Sequence, residues 1–137
     1  MGTLVAPDEL KTHLAAIGTP AQRARGTYLF RRGEPVTGIF LILDGVVRLG
    51  LDPNPAGLPS RDVGPGSVVG LPATLSDSSY SLTAEVLEDS RLIFLPRQTL
   101  LELLRQKPDL CFHIMSILTE ELTQTRSALE RVRKASA

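Results

Sequence analysis

Gly38-Ile39-Phe40-Leu41-Ile42-Leu43-Asp44-Gly45-Val46-Val47-Arg48-Leu49 is the stretch that decides the fold class. Two apolar runs flank an Asp-Gly pair. That arrangement predicts a tight β-hairpin, because both central positions of the favoured turn need positive φ. The same punctuation continues on both sides. Between Thr27 and Leu95 lie Gly33, Pro35, Gly38, Gly45, Gly50, Pro53, Pro55, Gly57, Pro59, Gly64, Pro65, Gly66, Gly70 and Pro72. They bound short β-type runs at Thr27–Arg31, Ile39–Leu43, Val46–Leu51, Arg61–Val63, Val68–Val69, Ser81–Leu87 and Leu92–Leu95. Many short strands separated by turn residues predict a sandwich or barrel. Asp52 to Ser60, rich in Pro and Gly, reads as an exposed hairpin loop.

Outside this region the period changes. Pro7 to Ile17 reads as a short helix, with Leu10, Leu14 and Ile17 at helical spacing and Gly18 as its stop. Thr19 to Gly26 is polar and basic and reads as a loop. Arg97 to Gln106 places Leu100, Leu101, Leu103 and Leu104 on one broad helical face. Pro108 ends that helix and suits the first turn of the next. From Asp109 to about Lys134 there is no Gly or Pro. Leu118, Leu122, Thr125, Leu129 and Val132 follow one another at spacings of 4, 3, 4 and 3, the rhythm of a coiled-coil seam. Leu110, Phe112, Ile114 and Ile117 are expected to lie on the chain's own β-domain. The seam beyond them calls for a second copy, so a homodimer is expected. The fold class is α+β: one domain over 1–137, with a helix at 7–17, β structure at 27–95, a helix at 97–106 and a long helix at 108–134.

Composition bounds the function. The chain has 137 residues, and its 15 Lys+Arg balance 15 Asp+Glu, so net charge is zero. A nucleic-acid binder carries a basic excess to neutralise phosphates, and none exists here. No run is long and apolar enough for a transmembrane helix, and Met1 to Leu10 has no signal-peptide pattern. A cytoplasmic location, with no membrane partner, is the expectation. Cys111 is the one cysteine; it excludes an internal disulfide or an iron–sulfur cluster and reads as a small buried hydrophobe on a helix. His13 and His113 lie in different helices without metal-site spacing. No nucleophile sits in a catalytic context, and Glu120-Glu121 look like a solvated helix face. No enzyme activity, metal or haem is expected.

Phe30-Arg31-Arg32-Gly33-Glu34-Pro35, the Gly38–Leu49 stretch, Val63-Gly64-Pro65-Gly66-Ser67-Val68-Val69-Gly70 and Leu87-Glu88-Asp89-Ser90 stand in a specific order. As an ordered set, followed by two helices, they resemble the cyclic nucleotide-binding domain of the CRP/FNR (catabolite activator) regulators, from about Pro7 to about Leu129. The resemblance implies a small antiparallel β-barrel of double-stranded β-helix or jelly-roll type, with a dimerising last helix. It also implies a cyclic nucleotide as ligand. A short helix after Gly70 would then point backbone N–H groups at the cyclic phosphate, as helix N-termini do for anions. The pocket positions it implies are Val69, Gly70, Leu71, Pro72, Ala73, Tyr80, Ser81, Leu82 and Thr83, with Thr125 and Arg126 on the dimer helix near the base.

Two of these positions depart from the family. Nucleotide-binding members have a Glu after the cassette glycine, for the ribose hydroxyl; here it is Leu71. They have an Arg for the phosphate, and aligning Tyr80-Ser81-Leu82-Thr83 with their Arg-x-Ala-Thr pattern puts Tyr80 at that Arg. Losing one partner of a buried ion pair costs ~3–5 kcal/mol, or roughly two to three and a half orders of magnitude in affinity. Arg61 and Arg126 are the remaining cations that could reach the pocket. Weak or absent binding of cyclic AMP and cyclic GMP is expected. Three readings stay open: a sensor module with an altered pocket for a small-molecule effector, a closed-pocket dimerisation or interaction domain, and the effector domain of a regulator that ends before its helix-turn-helix. Arg131, Arg133 and Lys134 are too few for a DNA-binding surface, so no DNA contact is expected from these residues alone. The start at Met1 favours a naturally short protein.

Overall fold

The computed structural model describes residues 8–52, 54 and 57–120. Pro7, Pro53, Pro55 and the expected helix beyond Glu120, with most of its seam and the basic cluster, lie outside the described residues. The elements in order are α1 (Asp8–Ile17), β1 (Thr19–Arg23), β2 (Tyr28–Phe30), β3 (Gly38–Asp44), β4 (Val47–Gly50), β5 (Arg61–Val63), β6 (Val68–Val69), α2 (Leu71–Ser76), β7 (Thr83–Val86), β8 (Ser90–Pro96) and α3 (Arg97–Gln106). A further helix, α4, covers 110–120. Two four-stranded antiparallel sheets face each other, ordered β1-β8-β3-β6 and β2-β7-β4-β5. This is the jelly-roll arrangement.

The sequence explains the layering. β4 alternates, with Val47 and Leu49 buried and Arg48 exposed, as a strand with one wet face must. Arg48 sits opposite both Asp62 and Glu85. It donates from Nε to Asp62 Oδ1 at 2.8 Å and from Nη2 to Oδ2 at 3.2 Å. The hydrogen bond to Asp62, then the charges of Asp62 and Glu85, hold its pKa above the usual arginine value. β3 is buried from Gly38 to Ile42 without alternation, because β3 also packs against α2 and α3. Leu92 and Leu95 of β8, Leu100 of α3 and Leu110 of α4 complete the core with Leu10 and Leu14.

Several expectations are corrected. Asp44-Gly45 is not a hairpin turn. β3 pairs with β6 and β8, β4 with β5 and β7, so the pair carries the chain from one sheet to the other. Gly45 has φ 105°, while Asp44 does not have positive φ; a Cβ on Gly45 would strike Ser90. Thr19–Arg23 is not a loop but the edge strand β1, in register with β8 from Thr19↔Phe94 to Arg23↔Ser90. Only Ala21 of it is even half-buried, so it carries no apolar pattern to announce it. The β structure therefore begins at 19, not 27. Ile17 is 43% exposed, and Phe112 is 72% exposed. Cys111 is exposed as well, not buried. The inward face of α4 is Leu110, Ile114 and Ile117. The loop after β4 is as expected: Asn54 Oδ1 accepts from Leu58 N at 2.9 Å, and Asn54 Nδ2 donates to Leu58 O at 2.9 Å.

Candidate functional site

The pocket region is built by α2, the inner face of β2 and β4, and the segment entering β7. Gly70 precedes α2 with φ 88°. A Cβ there would stand 3.2 Å from Gly38 O, 3.2 Å from the Tyr80 ring and 3.4 Å from the Phe30 ring. Left-handed backbone and close packing thus both require glycine at this position. Pro72 lies in the first turn of α2, and no side chain caps the helix. Thr74 instead donates from Oγ1 to Gly70 O at 2.7 Å.

Leu71 is 0% exposed and Tyr80 4% exposed. The Tyr80 ring stacks on Phe30 with centroids 3.9 Å apart and planes 9° from parallel. Its hydroxyl donates to Gly38 O at 2.7 Å. It accepts from Thr37 N at 3.1 Å and Gly38 N at 3.2 Å, and lies 3.3 Å from Thr37 Oγ1. Beside it lies a cavity of about 40 Å³ between Phe30, Leu49, Gly70, Ala73, Tyr80 and Leu82. Its other lining residues, Pro72 and Ser81, are uncharged too. A single water needs roughly 10–15 Å³ of such space, so the cavity is of solvent size.

Of the expected pocket positions, Gly70, Pro72, Ala73, Tyr80, Ser81 and Leu82 meet around this cavity. Val69 is fully buried in β6. Thr83 turns its hydroxyl to accept from Arg32 N at 3.0 Å. Arg61 sits at the head of β5 opposite Leu49 and does not line the cavity. Leu118, the first seam residue, packs partly buried against the core. Leu122, Thr125, Arg126, Leu129 and Val132 lie outside the described residues. Phe30 went unforeseen as the residue that stacks on Tyr80. The available signal was scarcity: the chain has only four Phe and two Tyr, and Phe30 opens the first turn motif. His113 Nε2 lies 3.2 Å from Glu9 Oε2, joining α4 to α1. Among the described residues no group of three or more His, Cys, Asp or Glu converges on a point that could hold a metal, and no helix is long and apolar enough to cross a membrane.

The sequence pattern of the cyclic nucleotide-binding domain matches residues 21–107. The chain belongs to the cyclic nucleotide-binding domain family. It is 29% identical over 118 residues to the anaerobic regulatory protein of Bacillus subtilis, covering 85% of this chain and 50% of that protein. The catabolite activator protein of Thermus thermophilus superposes with a TM-score of 0.75 at 25% identity, over 93% of this chain and 60% of the other. A structure from a cyclic-GMP-dependent signalling pathway that regulates bacterial phytopathogenesis superposes with a TM-score of 0.76 at 26% identity, over 88% of this chain and 96% of the other. The chain spans half or less of the length of the curated relatives it matches. Its structural neighbours include regulators of the CRP/FNR type.

Proposed function

We propose that this chain is a CRP/FNR-type regulatory module whose pocket is closed to cyclic nucleotides, and that it works as a homodimer through its C-terminal helix. One observation carries the first part: Leu71 and Tyr80, at the positions where nucleotide-binding members keep Glu and Arg, are buried, and the cavity that Tyr80 lines is about 40 Å³. Ligand pockets run to roughly 300–1,000 Å³. The cavity also offers no cation to a phosphate. Entry of a nucleotide would require Tyr80 to leave its stack and its three backbone partners first. The dimer reading draws on α4, where Phe112 and Met115 are 72% and 60% exposed on the side away from Leu110, Ile114 and Ile117. Met115 stands three residues before Leu118, so it continues the seam rhythm toward the N-terminus.

Isothermal titration with cyclic AMP and cyclic GMP tests the pocket. No saturable heat is expected from either. Micromolar binding of one of them would overturn the reading.

A further inference from the structure

The closed pocket raises the question of what closes it, and the contacts of Tyr80 answer in some detail. Its backbone is fastened to the turn after β2: Gly33 N donates to Tyr80 O at 2.8 Å, and Tyr80 N donates to Glu34 O at 3.0 Å. Its ring lies parallel on Phe30 of β2 and against Gly70 at the head of α2. Its hydroxyl reaches the Thr37-Gly38 dipeptide at the start of β3 and engages both amides and one carbonyl. Those are the contacts a small phenolic ligand would make: one stacked face, and a hydroxyl acting as both donor and acceptor.

The dipeptide it holds leads onward. Arg97 N, the first residue of α3, donates to Thr37 O at 3.1 Å. The Arg97 side chain returns to α2, donating from Nε to Thr74 O at 2.8 Å, with Nε 3.6 Å from Asp77 Oδ1. A closed loop of contacts therefore runs from Tyr80 through Thr37-Gly38 and Arg97 to α2, and back to Tyr80 at Gly70. We infer that Tyr80 is a tethered phenolic ligand that keeps the pocket permanently occupied and couples it, through Thr37 and Arg97, to the start of α3. The inference rests on the closed-pocket reading. It adds that the site left by withdrawing the ring recognises a neutral phenol. Tethering gives the ring a high effective concentration, so free phenol does not compete in the wild type.

The test uses Tyr80→Ala, with phenol and benzene as probes, on the full chain. Phenol replaces the deleted atoms; benzene lacks only the hydroxyl. Millimolar phenol is expected to raise the melting temperature of Y80A by several degrees, since a ligand bound only to the folded state at ten times its dissociation constant shifts the folding equilibrium about elevenfold. It is also expected to restore slow amide exchange at Thr37, Gly38 and Arg97. Benzene should restore none of that protection, and neither probe should shift the wild type. Phenol performing no better than benzene, or shifting wild type as much as Y80A, overturns the inference. Should Y80A fail to fold, Tyr80→Phe decides: exchange at Thr37, Gly38 and Arg97 should quicken about tenfold, the loss of roughly one hydrogen bond, and unchanged exchange at Arg97 overturns the coupling. Cyclic AMP added to wild type tests the underlying reading separately. A rise in melting temperature there would sink the closed pocket, while the difference between phenol and benzene would still decide the tether.

Discussion

Leu71→Glu puts back the carboxylate that nucleotide-binding members of the family carry, and it should be poorly tolerated. Leu71 is 0% exposed, and among the described residues no charged side chain is buried. The substitution removes the burial of one leucine, ~1.5–3 kcal/mol. It also leaves a buried carboxylate without a cation, ~3–5 kcal/mol more when ionised. Together these approach the whole stability of a small domain, ~5–15 kcal/mol. The sign with pH follows. Burial raises the folded-state pKa of the introduced carboxyl above its unfolded value, about 4.3. Below that value both states are protonated and only the lost packing remains. Above it the unfolded state ionises first, and the penalty grows by about 1.4 kcal/mol per pH unit until the folded pKa is reached. Urea denaturation of wild type, L71E and L71Q at pH 7 and pH 4 isolates this, because L71Q has the same shape without the charge. L71E should fall well below L71Q at pH 7 and converge on it at pH 4. Equal stability of the two at both pH values would refute a buried, cation-free site around residue 71.

Three further outcomes are expected. Gly38→Ala should destabilise by ~3 kcal/mol in the same denaturation assay, at the upper end of overpacking costs, because the added Cβ collides with the backbone of Leu95 and Pro96; a loss below ~1 kcal/mol would contradict the tight β3–β8 contact. Asp77, at the end of α2, has φ 54° and ψ 47°, so Asp77→Ala should lower the melting temperature by an amount worth ~1 kcal/mol while Asp77→Gly should not, and the reverse order would exclude a backbone origin. Leu122→Glu combined with Leu129→Glu should convert a dimer to a monomer in light scattering at micromolar concentration; a surviving dimer would remove the seam argument.

The strands were legible because Gly and Pro bracket them and because buried faces need apolar residues at fixed periods. Val68–Val69 and Arg61–Val63 were read at their observed bounds, and α3 was framed by Pro96 and Pro108. What failed depends on partners far along the chain. Asp44-Gly45 has the local form of a hairpin, yet its flanking strands belong to different sheets, which no local pattern reveals. β1 owes its strand state to β8 and buries almost nothing of its own. On α4 the period showed that one side must face inward, but not which: Leu110, Ile114 and Ile117 won over Cys111 and Phe112 because they meet the core beneath. At the site, Leu71 and Tyr80 stood out as departures from the family's order of residues. The Phe30–Tyr80 stack and the bonds to Thr37-Gly38 span some fifty residues of sequence, and only the folded chain brings them together.

The inter-sheet passage at Asp44-Gly45 has a consequence for how the chain reaches its native state. With β3 and β4 unpaired to each other, spatial neighbours are remote along the chain: Thr19 lies opposite Phe94, Tyr28 opposite Glu85, Phe40 opposite Val69. Among the described strands only β4 and β5 form a short-range pair. Contact order is high, so loop-closure entropy must be met before pairing returns free energy, and folding belongs in the millisecond-to-second range of non-local β topologies. β8 is the strand that both β1 and β3 wait for. During synthesis, the first sheet cannot assemble until residue 96 has left the ribosome.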